Sequence, residues 1–558
     1  MKRIPLLTAI ALATVFFVSC KNGGKSDLAI PKDAFLVLQI NTSSLTSKLS
    51  WKEIKETNWF RDMAKDEQDS VTKKILENPE TSGVDLKSDF AYFIRKQGTG
   101  GYGVFEGKIK DESAFESMVK NMKKDIEVKK DGDLKYANLS TAAVLTWNDN
   151  RFFVINDVPI FAQSNPFARR NYGNPNSSFS ADSLRNFSKD LLSLKSDNSI
   201  EKDDRYSAMM KETGDLHVFV NGSDYLSSMG GGVLSMMKVN TLLEGNAATY
   251  TLNFDNGKIT VKLKAYFGDE MAKVVDKFET RKISEAVINR IPSQDVIGYF
   301  ATNMDPKGIR EFLRASGFDG MANGYLGEMN YSLDELLAAL KGEFVIAVTD
   351  VKMKKKDVTI PSYGEGTKPY TYSRTEPDMH VLFASSVSNR QSFQKLLNIV
   401  EEKMGALPKD KVSYKLSNDW FVASNDSSSV NGFIAGGNNK VPFADEISGH
   451  STGMYVDLQK ICRISATDAK NAYDSAQANA SIATWQNIIG TTGEYKNKSV
   501  TAEYTINLVD KSTNSLKQLN QYAQKMSDAK KLRVNQFPEV MLNGTDSVMM
   551  TKPVTPVH

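Results

Sequence analysis

Two tetrapeptides have the spacing of a serine nucleophile with a lysine base one helical turn away: Ser117-Met118-Val119-Lys120 and Ser235-Met236-Met237-Lys238. Such a site needs a neutral lysine held beside the hydroxyl. Met118 and Val119 instead belong to an apolar helical stripe, which turns Ser117 and Lys120 toward solvent. Ser196-Asp197-Asn198 occurs, but no Lys-Thr-Gly signature accompanies either motif, so both are read as chance. Gly98-Thr99-Gly100-Gly101-Tyr102-Gly103 matches a dinucleotide fingerprint. That device works only where a strand feeds a helix whose N-terminus holds the pyrophosphate. Here a strand-like run, Tyr102 to Ile109, follows, so the glycines are expected in a hairpin turn. Met229-Gly230-Gly231-Gly232, with Met236 and Met237, reads either as a Met-lined apolar opening or as a helix break.

Metal and nucleophile chemistry find no better support. His217, His380, His450 and His558 are scattered, and no H-E-x-x-H or EF-hand spacing occurs. His217 and His380 fall in strand-like runs and read as strand residues rather than catalysts. Asp131-Gly132-Asp133 reads as a turn. Cys462 lies among apolar residues with no neighbouring His and is expected to be a buried structural thiol. Gly449-His450-Ser451-Thr452-Gly453 spells G-x-S-x-G, but a strand-like run ending at Asp457 follows it in place of the helix that a nucleophile elbow needs; a Ser-His-Asp set can still assemble from distant segments. So can a glycosidase pair of carboxylates, and Asp plus Glu number 67. No catalytic, cofactor-binding or metal-ligating residue is therefore assigned, and the enzyme question leans to no.

The N-terminus carries a clearer message. Lys2 and Arg3 precede an almost wholly apolar run, Ile4 to Val18, too short to span a bilayer but suited to a signal peptide. It ends Phe17-Val18-Ser19-Cys20, which resembles a bacterial lipoprotein processing site. The resemblance implies removal of residues 1–19 and acylation, palmitate included, of Cys20; Phe17 departs from the usual Leu. Residues 20–27 read as a polar tether. Lys21, rather than an Asp, follows the Cys, which by the same resemblance favours the outer membrane, with its periplasmic or surface face open. Removing Lys2 and Arg3 lowers the net charge of +3 to +1, which gives no reason to expect broad nucleic-acid binding.

At 558 residues, with 41% hydrophobic and 25% charged residues, the chain is globular and long enough for several domains. It reads as written twice. Ile30-Pro31 and Ile291-Pro292 each open a strand-like run, Phe35 to Ile40 and Val296 to Ala301. Leu86-Lys87-Ser88-Asp89-Phe90 parallels Leu340-Lys341-Gly342-Glu343-Phe344. Phe115, Met118, Val119 and Met122 share helical spacing with Phe393, Leu396, Leu397 and Val400. Asp149 to Asp157 resembles Asn418 to Asp426, and each copy closes with a strand and a helix. Strand ends at Asn41, Asn221, Asn303 and Asp457 supply helix N-caps, which suggests two strand–helix–strand–strand–helix units per half.

The fold class expected is α+β: two tandem similar halves, each with antiparallel sheets covered on one face by helices. The halves are 28–280 and 291–530, joined by a connector at 281–290, with 531–558 as an extended tail. Lys352 to Glu376 reads as an exposed inserted loop, and Ser164 to Ser178 and Asn425 to Asn439 as matching loops.

Lipoprotein start, Ile30-Pro31 opening, duplicated layout and length together resemble a family of uncharacterised lipoproteins, of the domain-of-unknown-function type, from gut-dwelling gram-negative anaerobes. Asp69-Ser70-Val71, Asp182-Ser183-Leu184 and Asp546-Ser547-Val548 resemble an O-glycosylation signal of such bacteria, but composition alone supplies roughly two such triplets. The resemblance implies no activity. The function expected is a membrane-attached, non-catalytic binding or scaffolding module, with an envelope protein or glycan as partner and a ligand cleft between the halves. A glycan or peptide hydrolase and an apolar-ligand carrier are the alternatives.

Overall fold

The computed structural model describes residues 28–66, 78–98, 100–122, 126–158, 179–222, 239–360, 369–404, 411–437 and 439–536. Cys20, the leader, the tether, the Met-rich segment 229–238, Ser164 to Ser178, the Asp69 and Asp546 triplets and residues 537–558 lie outside them.

The alternating apolar and polar runs form strands β1 (Ala34–Ile40), β2 (Phe90–Gln97), β3 (Gly100–Lys108), β4 (Lys129–Asp131), β5 (Leu134–Ser140), β6 (Ala143–Trp147), β7 (Arg151–Asp157), β8 (Leu216–Asn221) and β9 (Ala247–Asp255). They continue as β10 (Lys258–Tyr266), β11 (Val296–Asn303), β12 (Leu340–Ile360), β13 (Tyr370–Val387), β14 (Ser413–Leu416), β15 (Trp420–Ser424), β16 (Thr452–Val456), β17 (Trp485–Thr492) and β18 (Ser499–Leu508). All 18 join one sheet. Every pairing among them is antiparallel, and the fold is mixed α and β. In space the N-terminal strands run β4-β5-β6-β7-β3-β2-β1-β8-β9-β10. The order continues β18-β17-β16-β11-β12-β13-β15-β14. The seam is β10 against β18, from Lys258↔Asn507 to Tyr266↔Ser499, with Lys262 opposite Glu503 at its centre.

Helices lie on both faces of the N-terminal strands, not on one. Phe90, Ala91 and Phe93 are all fully buried, so neither face of β2 tolerates water. Helices Thr42–Lys48, Trp51–Lys55, Asn58–Asp66 and Glu112–Asn121 cover Ile40, Phe90, Phe105 and Phe152. Ala181–Leu192 and Asp204–Met210 cover Val37, Phe93, Phe153 and Phe219 on the other side. In the C-terminal half Ser427–Ile434 and Ala444–Ile447 pack over Tyr299, Ala301, Val345 and Val422.

The last helix of each half crosses to the other. Ser515–Gln536 lies on Asn58–Asp66, where Trp59 Nε1 donates to Asn520 Oδ1 at 2.9 Å and Asn58 Nδ2 to Asp528 Oδ1 at 3.0 Å. Its Leu516 enters the N-terminal core. In return, Phe278, just past helix Asp269–Val275, fills the space a side chain at Gly308 would need. Lys277 pairs with Glu311 at 2.5 Å.

Several expectations need correcting. Residues 281–290 hold the short helix expected between the halves, Glu285–Ile288, and they also enter the core: Ile283, Val287 and Ile288 are buried with Ile291 against Val345 and Phe433. The last helix runs to Gln536, past the boundary at 531, because nothing from Lys531 onward breaks it before Pro538. Asn425 to Asn439 is a helix over Ser427–Ile434, because the Asp426 carboxylate caps it. Lys352 to Glu376 is not a loop: Lys352–Ile360 pairs with Tyr370–Asp378 as a ribbon. Asn41 and Asp457 do cap helices. Asn303 does not; Asp305 takes that role while the Asn303 amide donates to Lys282 O.

Candidate functional site

The seam between the halves is a continuous hydrogen-bonded ladder. A cleft of about 830 Å³ opens within the N-terminal half. Its walls are the ends of β3 and β7, the β6–β7 turn, the end of helix Ala181–Leu192, and the turns Ser196–Asn198 and Ile200–Lys202. Leu28 and Ala29, where the described chain begins, complete it. Asn148 Oδ1 accepts the backbone N–H of Asn150 and of Arg151, at 3.0 and 2.9 Å, and so fixes the β6–β7 turn. Asp85 accepts the Ser88 hydroxyl at 2.6 Å and the Lys87 N–H at 3.1 Å, closing a turn before β2.

Lys108, Arg151 and Lys202 supply cations to this cleft, and Asp85 and Glu201 carboxylates. Ser196 and Ser199 are its hydroxyls, and Ser199 Oγ is taken by the Glu201 N–H at 3.3 Å. Among its described lining residues no His or Cys stands beside either serine. Among the described residues no group of three or more His, Cys, Asp or Glu is placed to hold a metal. What the cleft can do with these groups is pair with charges and exchange hydrogen bonds.

Directly beneath it lies a row of polar side chains that the sequence does not announce. Ala29, in the cleft wall, donates its N–H to Glu106 Oε2 at 2.9 Å, and Glu106 is 1% exposed. Glu106 opposes Ala91, Ala91 opposes Gln39, Gln39 opposes His217, His217 opposes Thr251, and Thr251 opposes Lys262. Directly opposed residues in antiparallel strands share a face, so these six form one transverse line under the helices.

Gln39 is the hub of the line. Its Nε2 donates to Asp89 Oδ2 at 3.0 Å, and its Oε1 accepts the Tyr206 hydroxyl at 2.6 Å. Burial pushes the Asp89 carboxyl up, against the hydrogen bonds from Gln39 and Thr42, and pushes the Tyr206 phenol up. Burial likewise pushes the His217 imidazole down, although Asp89, Glu212 and Asp215 pull the other way. His217 Nε2 lies 3.1 Å from Glu212 O, and Lys262 Nζ reaches Glu212 Oε1 at 3.1 Å. Below the row's end, fully buried Asp215 gathers Lys48 Nζ, Ser44 Oγ and the Phe254 N–H, each at 2.6 Å. A charged residue inside the apolar run Tyr102 to Ile109 was the one signal in the sequence for Glu106.

The motifs singled out earlier scatter. Ser117 and Lys120 are exposed, and Lys120 pairs with Glu116 at 2.6 Å. Gly98, at φ +60, turns β2 into β3 with open space around it. Asp131-Gly132-Asp133 turns β4 into β5. Cys462 is half-buried on helix Leu458–Ala466 rather than fully buried; burial, and Asp457 nearby, hold its thiol protonated. His380 sits 3.4 Å from Asp350 and 3.9 Å from Asp426, far along the sheet from His217.

A family model described as a domain of unknown function, DUF4836, matches residues 27–364. No curated protein matches the chain. Two solved structures, crystal forms I and III of TP0453, are similar to it at 10% and 9% identity, with TM-scores of 0.26 and 0.24. They cover 47% and 46% of this chain, and 90% and 87% of their own.

Proposed function

The chain belongs to the DUF4836 family, whose function is unknown, and from that premise we propose a lipid-anchored binding module of the bacterial cell envelope. In this reading residues 1–19 are removed, Cys20 carries the acyl chains, and the protein sits at the outer membrane of a gut-type anaerobe. The observation that carries the binding reading is the charged cleft: three cations and two carboxylates beside Leu28. Residues 20–27 would hang that cleft close to the membrane. Its ligand is a polar envelope component, glycan or protein, met through ion pairs and hydrogen bonds.

We further propose that the chain arose by tandem duplication. Three features support this. The strand order reads the same from either end of the sheet up to the β4–β7 and β14–β15 hairpins. Lys262 and Glu503, the central residues of β10 and β18, oppose each other as a two-fold would require. Capping boxes recur at Ser50/Glu53 and Ser332/Glu335.

Two experiments test the function. Labelled palmitate should enter the wild-type chain and not Cys20→Ser; equal labelling would remove the anchor. The protein should retain envelope glycans or proteins on a column, and charge reversal at Lys108, Arg151 and Lys202 should release them. Turnover of a glycan or peptide, abolished by Asp85→Asn or Glu201→Gln, would replace the binding reading with the hydrolase one.

A further inference from the structure

Beyond Thr349↔His380, β12 and β13 leave the sheet. β11 stops pairing at Val296↔Thr349 and β15 at Leu382↔Ser424, while Lys352↔Asp378 to Ile360↔Tyr370 continues alone. At about 3.4 Å per residue this ribbon reaches roughly 27 Å from the body. The matching hairpin β2–β3 closes at Gly98 and has no such extension.

Side chains alternate along the ribbon. One face carries Val358, Ile360, Tyr370 and Tyr372 at its outer end, cross-paired as Val358↔Tyr372 and Ile360↔Tyr370. Tyr370 is 66% exposed, Ile360 45% and Tyr372 37%, and the two tyrosine rings lie 6.1 Å apart. Behind them on the same face stand Lys352, Lys354 and Lys356. Lys355 extends the charge to the opposite face. With Arg374 these lysines outnumber Asp357, Glu376 and Asp378 by two. Glu376 already takes both Lys356 and Arg374 at 2.8 Å, and Lys354 stands 3.9 Å from Asp378, its side chain 73% exposed.

A free two-stranded ribbon is marginally stable in water, and an apolar tip adds to its cost. Its edges are guarded against strand addition, by Pro377 on one side and the lysine run on the other. What remains for contact among the described residues is the outer end of the two strands; residues 361–368, which join them, lie outside the described residues. We propose that this outer end docks in the headgroup layer of an anionic bilayer. Tyrosines are at home there, with ring toward the acyl chains and hydroxyl toward water. Lysines set behind them meet the lipid phosphates while their stems lie along the apolar boundary. The excess positive charge complements an anionic surface, not a zwitterionic one. The contact would fix how the body stands on the membrane. It rests on the reading that the protein works at a membrane, but not on Cys20.

The test uses the chain from Lys21 onward, which lacks leader and acyl group and keeps every described residue. It is sedimented with vesicles of phosphatidylglycerol and phosphatidylethanolamine, and with phosphatidylcholine alone. Binding is expected to the anionic vesicles only and to fall at high salt. Tyr370→Ser with Tyr372→Ser, and separately Lys354→Gln, Lys355→Gln and Lys356→Gln together, should each weaken it roughly tenfold or more. Their melting temperatures should not move, because the ribbon lies outside the core. Equal vesicle binding by the variants, or none by the parent chain, would overturn the proposal. So would retention on an immobilised acidic polysaccharide without vesicle binding, which would give the ribbon to a glycan. Failure of palmitate labelling would leave this outcome untouched.

Discussion

Gln39→Leu tests whether the buried polar row is a stability element rather than a passive inclusion. Leucine nearly matches the volume of glutamine but can neither donate to Asp89 nor accept from Tyr206. The Tyr206 hydroxyl, in a residue 1% exposed, would lose its partner in the core, and Asp89 would keep the Thr42 N–H alone. Each buried polar group left unsatisfied costs about 1–3 kcal/mol. The better burial of a leucine side chain offsets part of that. A net loss of about 2–4 kcal/mol is expected, a large share of the 5–15 kcal/mol typical of a domain. Urea denaturation should show it as a lower midpoint with an unchanged slope. Adding Tyr206→Phe removes the orphaned hydroxyl, so the double variant should recover about 1–2 kcal/mol of the loss. The Asp89 carboxyl should also rise further, because a hydrogen bond that lowers it is gone. A carboxyl raised in the folded state makes folding more favourable as pH falls through that raised value, so part of the deficit should close in acid. A loss below about 1 kcal/mol, or no recovery on adding Tyr206→Phe, would refute the reasoning.

Three further outcomes follow from the same region. Lys48→Met leaves the Asp215 carboxylate buried with its hydroxyl and amide donors but no counter-charge, and should cost about 3–5 kcal/mol in thermal denaturation. His217 is held neutral by burial, with its folded value below 6.5. As pH falls below 6.5 the unfolded chain therefore takes the proton first, stability declines until the folded value is passed, and His217→Asn should flatten that decline in melting experiments across acid pH. Gly83 stands at φ +78, where a Cβ would lie 2.3 Å from Asp111 O and 2.4 Å from Phe115 N, at the start of helix Glu112–Asn121. Gly83→Ala should lower stability by about 2 kcal/mol or more, measured by chemical denaturation.

What the sequence made legible was local. Phe115, Val119 and Met122 at helical spacing gave a helix whose apolar face is buried as expected, and Phe393 opens the matching face of Arg390–Met404. Strands with one buried face or two declared themselves by alternation or by apolar runs. The ribbon did not, because a strand pair with both faces in water has the Lys, Tyr and Thr composition of a loop. Ser427–Ile434 hid among serines, where one cap, Asp426, decides the helix. Sheet order was beyond reach, since β10 meets β18 across the entire C-terminal half and nothing in either strand names the other. The site escaped for the same reason. Gln39, Asp89 and Tyr206 are ordinary residues until β1, the entry to β2 and a helix bring them within hydrogen-bonding distance.

The transverse row also separates the two halves chemically. Carried across the seam from Glu503, it runs Thr491, Gly453, Ala301, Val345 and Ala384. On the proposed duplication, Ala301 stands where Gln39 does, Gly453 where His217 does, and Ala384 where Glu106 does. Alanine and glycine need no partners, so the C-terminal half closes that face with apolar side chains such as Phe433, Phe443 and Ile447, the last lying against Gly453. The N-terminal half instead holds a line of polar groups there, and it is in this half that the start of the described residues, the cleft and the polar row touch through Ala29 and Glu106. Buried polar networks are costly unless complete. On that reading, keeping one in a single copy, under a cleft of about 830 Å³, is what divergence toward binding would leave, and the other copy would have diverged at the ribbon.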